Sequence, residues 1–279
     1  MRSLLREAAG SLLSIVFPSA CSLCQEELSE FSSTGVCRAC WDSLEPWQGP
    51  VCSGCGLPLP SDQLLESAEW QCADCRTQET AFDRARNFGL YRENLRAILL
   101  QLKFHHRERL GTRLGELLVP VCRSMVDPSD TSEVLVVPVP LHSTRQRERG
   151  YNQAELLARG LVGAYARSRQ PCALRIEHRA LRKTRPTPPQ TGLSWAERRD
   201  NVRGAFTVVS PERVRDRVVI LVDDVMTTGA TLSACASALK QAGVRQVLGL
   251  TLARATPQFP DGEARRGPAD IDDSRPKWP

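Results

Sequence analysis

Short runs of branched and aliphatic residues set the rhythm of the second half of the chain. Val134-Leu135-Val136-Val137, Val218-Val219-Ile220-Leu221-Val222 and Val247-Leu248-Gly249-Leu250-Thr251-Leu252 are nearly continuous in apolar character, as strands covered on both faces require. Helix-length segments lie around them, over residues 95–104, 109–125, 152–166 and 230–242, the last closed by Gly243. Strand alternating with helix predicts an α/β fold, a parallel sheet flanked by helices, with ligands outside the carboxyl ends of the strands. No apolar run reaches the roughly 18–20 residues of a membrane-spanning helix.

Composition and charge separate the first eighty residues from this pattern. The 279 residues are 41% hydrophobic and 25% charged, average values that exclude wholesale disorder, collagen and coiled coil. The formal charge of +5 is unevenly spread: residues 1–80 carry 4 basic and 11 acidic side chains, which leaves +12 for residues 81–279. Eight of the eleven cysteines fall in the acidic part as four C-x-x-C pairs, Cys21/Cys24, Cys37/Cys40, Cys52/Cys55 and Cys72/Cys75. Each block of two pairs has the spacing of a zinc ribbon, in which two knuckles converge on one metal. All four positions are sulfur and no histidine precedes His105, so two structural zinc ions are expected, without the open position of a catalytic one. Spacing leaves sequential and interleaved pairing open; sequential closure is the expected order. A module this small buries too little apolar surface to be secure without metal. Removing the metal is therefore expected to unfold it and to spare the rest.

The amino terminus has the outline of a lipoprotein leader, with Arg2, Arg6, an apolar stretch and Cys21. Glu7 interrupts the lead-in, Pro18 stands where an aliphatic residue belongs, and Cys21 is committed to a C-x-x-C pair, so a cytoplasmic protein is expected. The expected organisation is a helix over residues 1–20, a double zinc ribbon over 21–80, the α/β domain over 81–255 and a disordered proline-containing tail over 256–279.

The chemistry concentrates after the middle strand. Asp223-Asp224 are followed by Val225-Met226-Thr227-Thr228-Gly229-Ala230-Thr231. Two adjacent carboxylates where a strand leaves the core are costly unless hydroxyls, cations or water meet them. The loop behind them offers hydroxyls, backbone amides and a glycine at a helix start, a combination that suits a phosphate. Acceptors for sugar hydroxyls and donors for a phosphate thus share one segment. Dinucleotide and nucleoside-triphosphate loop motifs do not occur.

This string resembles the signature of type I phosphoribosyltransferases, enzymes that use 5-phosphoribosyl 1-pyrophosphate (PRPP). Val137-Pro138-Val139-Pro140-Leu141-His142, Arg149-Gly150-Tyr151-Asn152-Gln153-Ala154, Gln190-Thr191-Gly192-Leu193-Ser194 and Glu197-Arg198-Arg199-Asp200-Asn201-Val202 further resemble the ComF family of competence-associated proteins, as does a double zinc ribbon ahead of a transferase fold. The resemblance implies a type I phosphoribosyltransferase-like sheet in which Asp223 and Asp224 hold the ribose hydroxyls, with magnesium nearby. Val225 and Met226 would lead into a 5-phosphate cradle of Thr227, Thr228, Gly229, Ala230 and Thr231. Pro140 and His142 would lie by the pyrophosphate, with Arg145, Arg147 and Arg149 as candidate partners on charge and nearness. It also implies a link to DNA uptake and natural transformation, leaving single-stranded DNA and uptake-machinery proteins as candidate partners. Residues 141–203, with 14 basic against 5 acidic side chains, could track a phosphate backbone or wall a PRPP site. A magnesium-dependent transferase is the first reading; a non-catalytic PRPP-sensing module that binds DNA or an adaptor is the second.

Overall fold

The computed structural model describes residues 20–28, 32–59, 70–78, 80–104, 108–127, 133–168, 172–188 and 195–256. The expected amino-terminal helix, the 190–194 motif and all but the first residue of the tail lie outside them. Among the described residues seven strands follow one another: β1 (Arg84–Leu90), β2 (Val134–Pro138), β3 (Leu174–Ile176), β4 (Leu181–Lys183), β5 (Phe206–Val208), β6 (Val218–Met226) and β7 (Gln246–Arg254). Five make a parallel sheet in the order β1-β7-β6-β2-β3, while β4 and β5 pair antiparallel beside it.

The helices are α1 (Arg38–Asp42), α2 (Ala73–Thr77), α3 (Glu93–Phe104), α4 (Glu108–Glu116), α5 (Val119–Met125), α6 (Ser143–Arg149), α7 (Gln153–Arg167), α8 (Trp195–Val202), α9 (Pro211–Val214) and α10 (Ala230–Gln241). Side chains alternate across the sheet, so each apolar run feeds two cores. Val134, Val136, Val218, Ile220 and Val222 pack with α3, α4, α5 and α7. Leu135, Val137, Val219 and Leu221 pack with α10 and with Phe206 of β5. This two-sided burial is why the three central strands read as continuous runs.

The expected helix over 109–125 is in fact two. Pro120 has no N–H to give and its ring collides with the carbonyl four residues back, so α4 ends at Glu116 and α5 restarts with the proline in its first turn. The middle strand is also longer than its apolar run and carries Asp223 and Asp224 within it. Among the described residues no helix is long and apolar enough to cross a membrane.

Candidate functional site

The sheet order creates a crevice at the carboxyl ends of its strands. From β2 the chain passes through α6 and α7 to β3 on one side, and from β6 through α10 to β7 on the other. Where successive crossovers leave in opposite directions, the strand ends part and a ligand can enter. Pro138, the last residue of β2, pairs with Val222, whereas β6 continues to Met226 on the β7 side only. Asp223 and Asp224 occupy this one-sided extension. The chain then turns through Thr227, Thr228 and Gly229 into α10. Gly229 has φ 80°, a left-handed backbone that favours glycine, and the Thr228 hydroxyl accepts from the Ala230 amide at 3.4 Å. A side chain at Gly229 would also strike Met226, with a built Cβ 2.7 Å from its terminal methyl.

The two acids live in different electrostatic settings. Asp224 pairs with Lys103 of α3 at 2.9 Å, both side chains largely covered at 14% and 21% exposure. Burial alone would lower Lys103, but Asp224 outweighs it and holds the ammonium above its ordinary range. Asp223 accepts from the Asp224 amide at 2.9 Å. Burial, followed by the Asp224 charge, pushes its carboxyl up to about 7 despite the opposing charges of Lys103 and Lys183. Lys183, at the end of β4, is itself held below its usual value by burial and by Arg145. Lys103 and Lys183 belong to the site, yet neither was legible in sequence. Each reads as an ordinary basic residue near the end of a helix or strand.

The turn after β2 is fixed to the same crevice. Val139 donates its amide to Val222 at 2.9 Å, and Asn152 donates its side-chain amide to the Val139 carbonyl at 3.0 Å. The other end of Asn152 caps α7, accepting from Ala154 at 3.1 Å. Tyr151 donates its hydroxyl to the Leu102 carbonyl and so pins the turn of α3 that carries Lys103. The Tyr151-Asn152 pair in the 149–154 motif is thus a brace for the crevice. Asn152→Ala should cost about 1–2 kcal/mol in urea unfolding through the lost cap and the orphaned Val139 carbonyl. Indifference in that measurement would remove the brace.

Pro140 and His142 line a hollow of about 610 Å³ together with Asn152, Glu155, His178 and Lys183. Asp223, Asp224 and the threonine loop do not line it, although Lys183, which does, acts on the charge of Asp223. His142 caps α6, its Nδ1 paired with the Thr144 hydroxyl at 2.8 Å. Of the three α6 arginines, Arg145 is half-buried and acts on Lys183, Arg149 is half-buried, and Arg147 is exposed.

The eight paired cysteines gather into two tetrads, Cys21/Cys24/Cys37/Cys40 and Cys52/Cys55/Cys72/Cys75, each with all sulfurs within 4.8 Å of one another. Consecutive pairs close together. Four sulfurs about 2.3 Å from one zinc would lie about 3.8 Å apart. The Cys24–Cys37 and Cys55–Cys72 contacts are 3.7 Å and the Cys21–Cys40 contact 3.8 Å, so the donors fit a tetrahedral zinc. Amides of Leu23 and Cys37 point at the Cys21 sulfur, and that of Cys72 at the Cys52 sulfur. The two knuckles match: Gln25 and Gly56, each directly after the second cysteine, have φ 64° and 67°. Gly56 has a further reason to be glycine, since a Cβ there would lie 2.8 Å from the Ala85 carbonyl of β1.

Comparison with known proteins agrees with both parts of this geometry. Residues 12–76 match the double zinc ribbon domain and residues 149–275 the phosphoribosyl transferase domain. The chain is similar to competence protein F of Haemophilus influenzae, 32% identical over 84% of this chain and 96% of that one. It is also similar to the DNA utilization protein YhgH of Escherichia coli, 29% identical over 84% and 96%, and to the competence protein ComFC of Bacillus subtilis, 25% identical over 89% and 99%.

Proposed function

The chain belongs to the ComF family of competence and DNA-utilization proteins, and on that footing we propose that it binds PRPP in the crevice between β2 and β6 and transfers its phosphoribosyl group. The observation that best supports this is the run of groups along one backbone segment. Two carboxylates on the one-sided end of β6 lead directly into a threonine loop that bends at a left-handed glycine and opens α10. Asp223 and Asp224 accept hydrogen bonds from the ribose hydroxyls, and the 227–231 amides and hydroxyls donate to the 5-phosphate. Lys103 holds Asp224 in place. Pro140, His142 and the α6 arginines, with Lys183, face the pyrophosphate. Asp223 and Asp224 would hold the magnesium that accompanies PRPP, and that ion would supply charge neutralisation for the departing pyrophosphate.

The reaction needs no nucleophile from the protein. The acceptor's lone pair forms the new bond to ribose C1 while the C1–O bond to pyrophosphate breaks and the leaving group keeps its electrons. Positive charge builds on the ribose as it does so. Cations fixed around the leaving group stabilise this state more than bound substrate. The test is magnesium-dependent pyrophosphate release from PRPP, assayed with single nucleobases and with single-stranded DNA as acceptors. Binding without release under every condition would remove the transferase reading.

The exposed arginine of α6 and the excess of basic side chains over residues 141–203 favour a second reading, a PRPP-sensing module that engages single-stranded DNA or a DNA-uptake protein in the cytoplasm. In that case affinity for single strands should fall steeply as salt rises, since each phosphate contact releases counterions. Both readings include two structural zinc ions, and metal analysis should find two per chain.

A further inference from the structure

Arg254 ends β7 and is 5% exposed. Its guanidinium enters the second cysteine tetrad, with Nη2 3.8 Å from the Cys55 sulfur, while Nε and Nη1 find no hydrogen-bond partner. A buried guanidinium with two idle donors is costly unless a compensating negative charge is close. Four thiolates around one zinc ion carry a net charge of −2. On the neighbouring strand, Arg86 donates to the Ser53 carbonyl at 2.9 Å, gripping the same knuckle.

The backbone beyond Arg254 leads to the crevice. Arg254 is in register with Met226, and the next residue, Ala255, donates to the Met226 carbonyl at 2.9 Å. Met226 in turn packs against Gly229. A parallel route starts at Gly56 of the knuckle. The Asn87 side chain donates to the Gly56 carbonyl at 3.0 Å and accepts from the Thr251 hydroxyl at 2.6 Å, and Thr251 is fully buried opposite Asp223. Two connections therefore run from one cysteine cluster to the acid and phosphate-loop segment, one reaching Asp223 and the other Met226, where the strand gives way to the loop.

We propose that Arg254 is the charge partner of the anionic zinc–thiolate cluster in the second ribbon, and that through Arg254 and Asn87 this ribbon holds the 223–231 segment in shape. The ribbon is then part of the crevice rather than a separable module, and the expectation that metal removal spares the sheet does not hold at the second tetrad. The proposal builds on the reading of residues 223–231 as the PRPP site, but its readouts need no PRPP, so failure of that reading would leave the result intact.

The experiment uses the full zinc-loaded chain and follows zinc release to a chelator together with amide hydrogen exchange over residues 226–231. Arg254→Met should release one of the two zinc ions about tenfold faster or more, as loss of a charged outer partner does elsewhere. Exchange in the loop should accelerate about tenfold with it. Arg254→Lys, which keeps the charge, should fall between Arg254→Met and wild type. Cys72→Ser should speed loop exchange, and Cys37→Ser should lose the first zinc with the loop unchanged. Wild type stripped by graded chelator covers the case in which Arg254→Met fails to fold: loop exchange should track release from the second tetrad. Wild-type zinc retention in Arg254→Met, no rescue by lysine, equal loop effects of the two cysteine variants, or loop exchange indifferent to zinc release would each overturn the proposal.

Discussion

Asp223→Asn should weaken PRPP binding and at the same time raise the melting temperature of the ligand-free protein, whereas Asp224→Asn should lower both affinity and stability. The carboxyl of Asp223 sits at about 7 because burial and Asp224 oppose its charge. The unfolded chain holds the same group near its ordinary value of about 3.9. A carboxyl raised in the folded state adds its stability below pH 4, and that contribution is lost as pH climbs through 7. At pH 8 the charged form works against the fold by about 2 kcal/mol, less than the full shift implies because Asp223 still reaches water. Asparagine removes that charge and can still accept from the Asp224 amide, so the gain should appear at pH 8 and vanish at pH 4.

Asp224 has the opposite sign. Without its carboxylate, Lys103 keeps its burial and loses the partner 2.9 Å away, a loss of about 1–3 kcal/mol. Calorimetric titration with PRPP and magnesium gives the second axis. Wild-type affinity should rise between pH 6 and 8 as Asp223 loses its proton, because ribose hydroxyls donate to the charged form, and Asp223→Asn should lack this dependence. Unchanged PRPP affinity in both variants would remove the site, and a lower melting temperature for Asp223→Asn at pH 8 would remove the electrostatic account.

The opposed behaviour of adjacent aspartates marks the limit of what the sequence could convey. The acids, the threonine loop and the cysteine pairs are local strings, so their chemistry is legible wherever the chain goes. The central strands are legible because both faces are buried. β1 is not, because Arg84, Arg86 and Asn87 break its apolar pattern; Arg86 and Asn87 bind ribbon carbonyls 31–33 residues away, and Arg84 reaches the Met125 carbonyl. Lys103 and Arg254 were hidden for the same reason, since a single cation at the end of a helix or strand looks like surface until the fold buries it. The expectation of a self-contained ribbon came from composition by segment, which cannot register two arginines of the sheet serving the other half. The first ribbon is joined as closely: Trp41 lies in one core with Phe88 and Leu95, under the guanidinium of Arg113 at 4.5 Å.

Among the described glycines, Gly160→Ala should be the most damaging change to alanine, although Gly160 lies about two turns along α7 from the crevice. α4 and α7 cross so closely that a Cβ at Gly160 would fall 1.8 Å from the Thr112 carbonyl oxygen, and one at Gly115 would fall 2.1 Å from that of Leu157. Those obstacles are backbone, so no rotamer change relieves them and the helices must separate. The cost should reach about 3 kcal/mol or more, a large part of the stability of an ordinary domain. Gly163→Ala on the same helix is the control. There the nearest atom to a Cβ, outside the helix's own backbone, is the flexible tip of Arg167 at 3.7 Å, and the substitution should gain about 0.5–1 kcal/mol from helix propensity alone. The damage should also reach the ligand. Asn152 caps the start of α7, about 12 Å along the axis from Gly160, and the same side chain holds the turn after β2 against β6. A helix pushed off α4 drags that brace with it, so surviving Gly160→Ala protein should bind PRPP more weakly, while Gly163→Ala binds as wild type. A Gly160→Ala melting temperature within about 2 °C of wild type would mean that the helix crossing yields more easily than its backbone contacts allow.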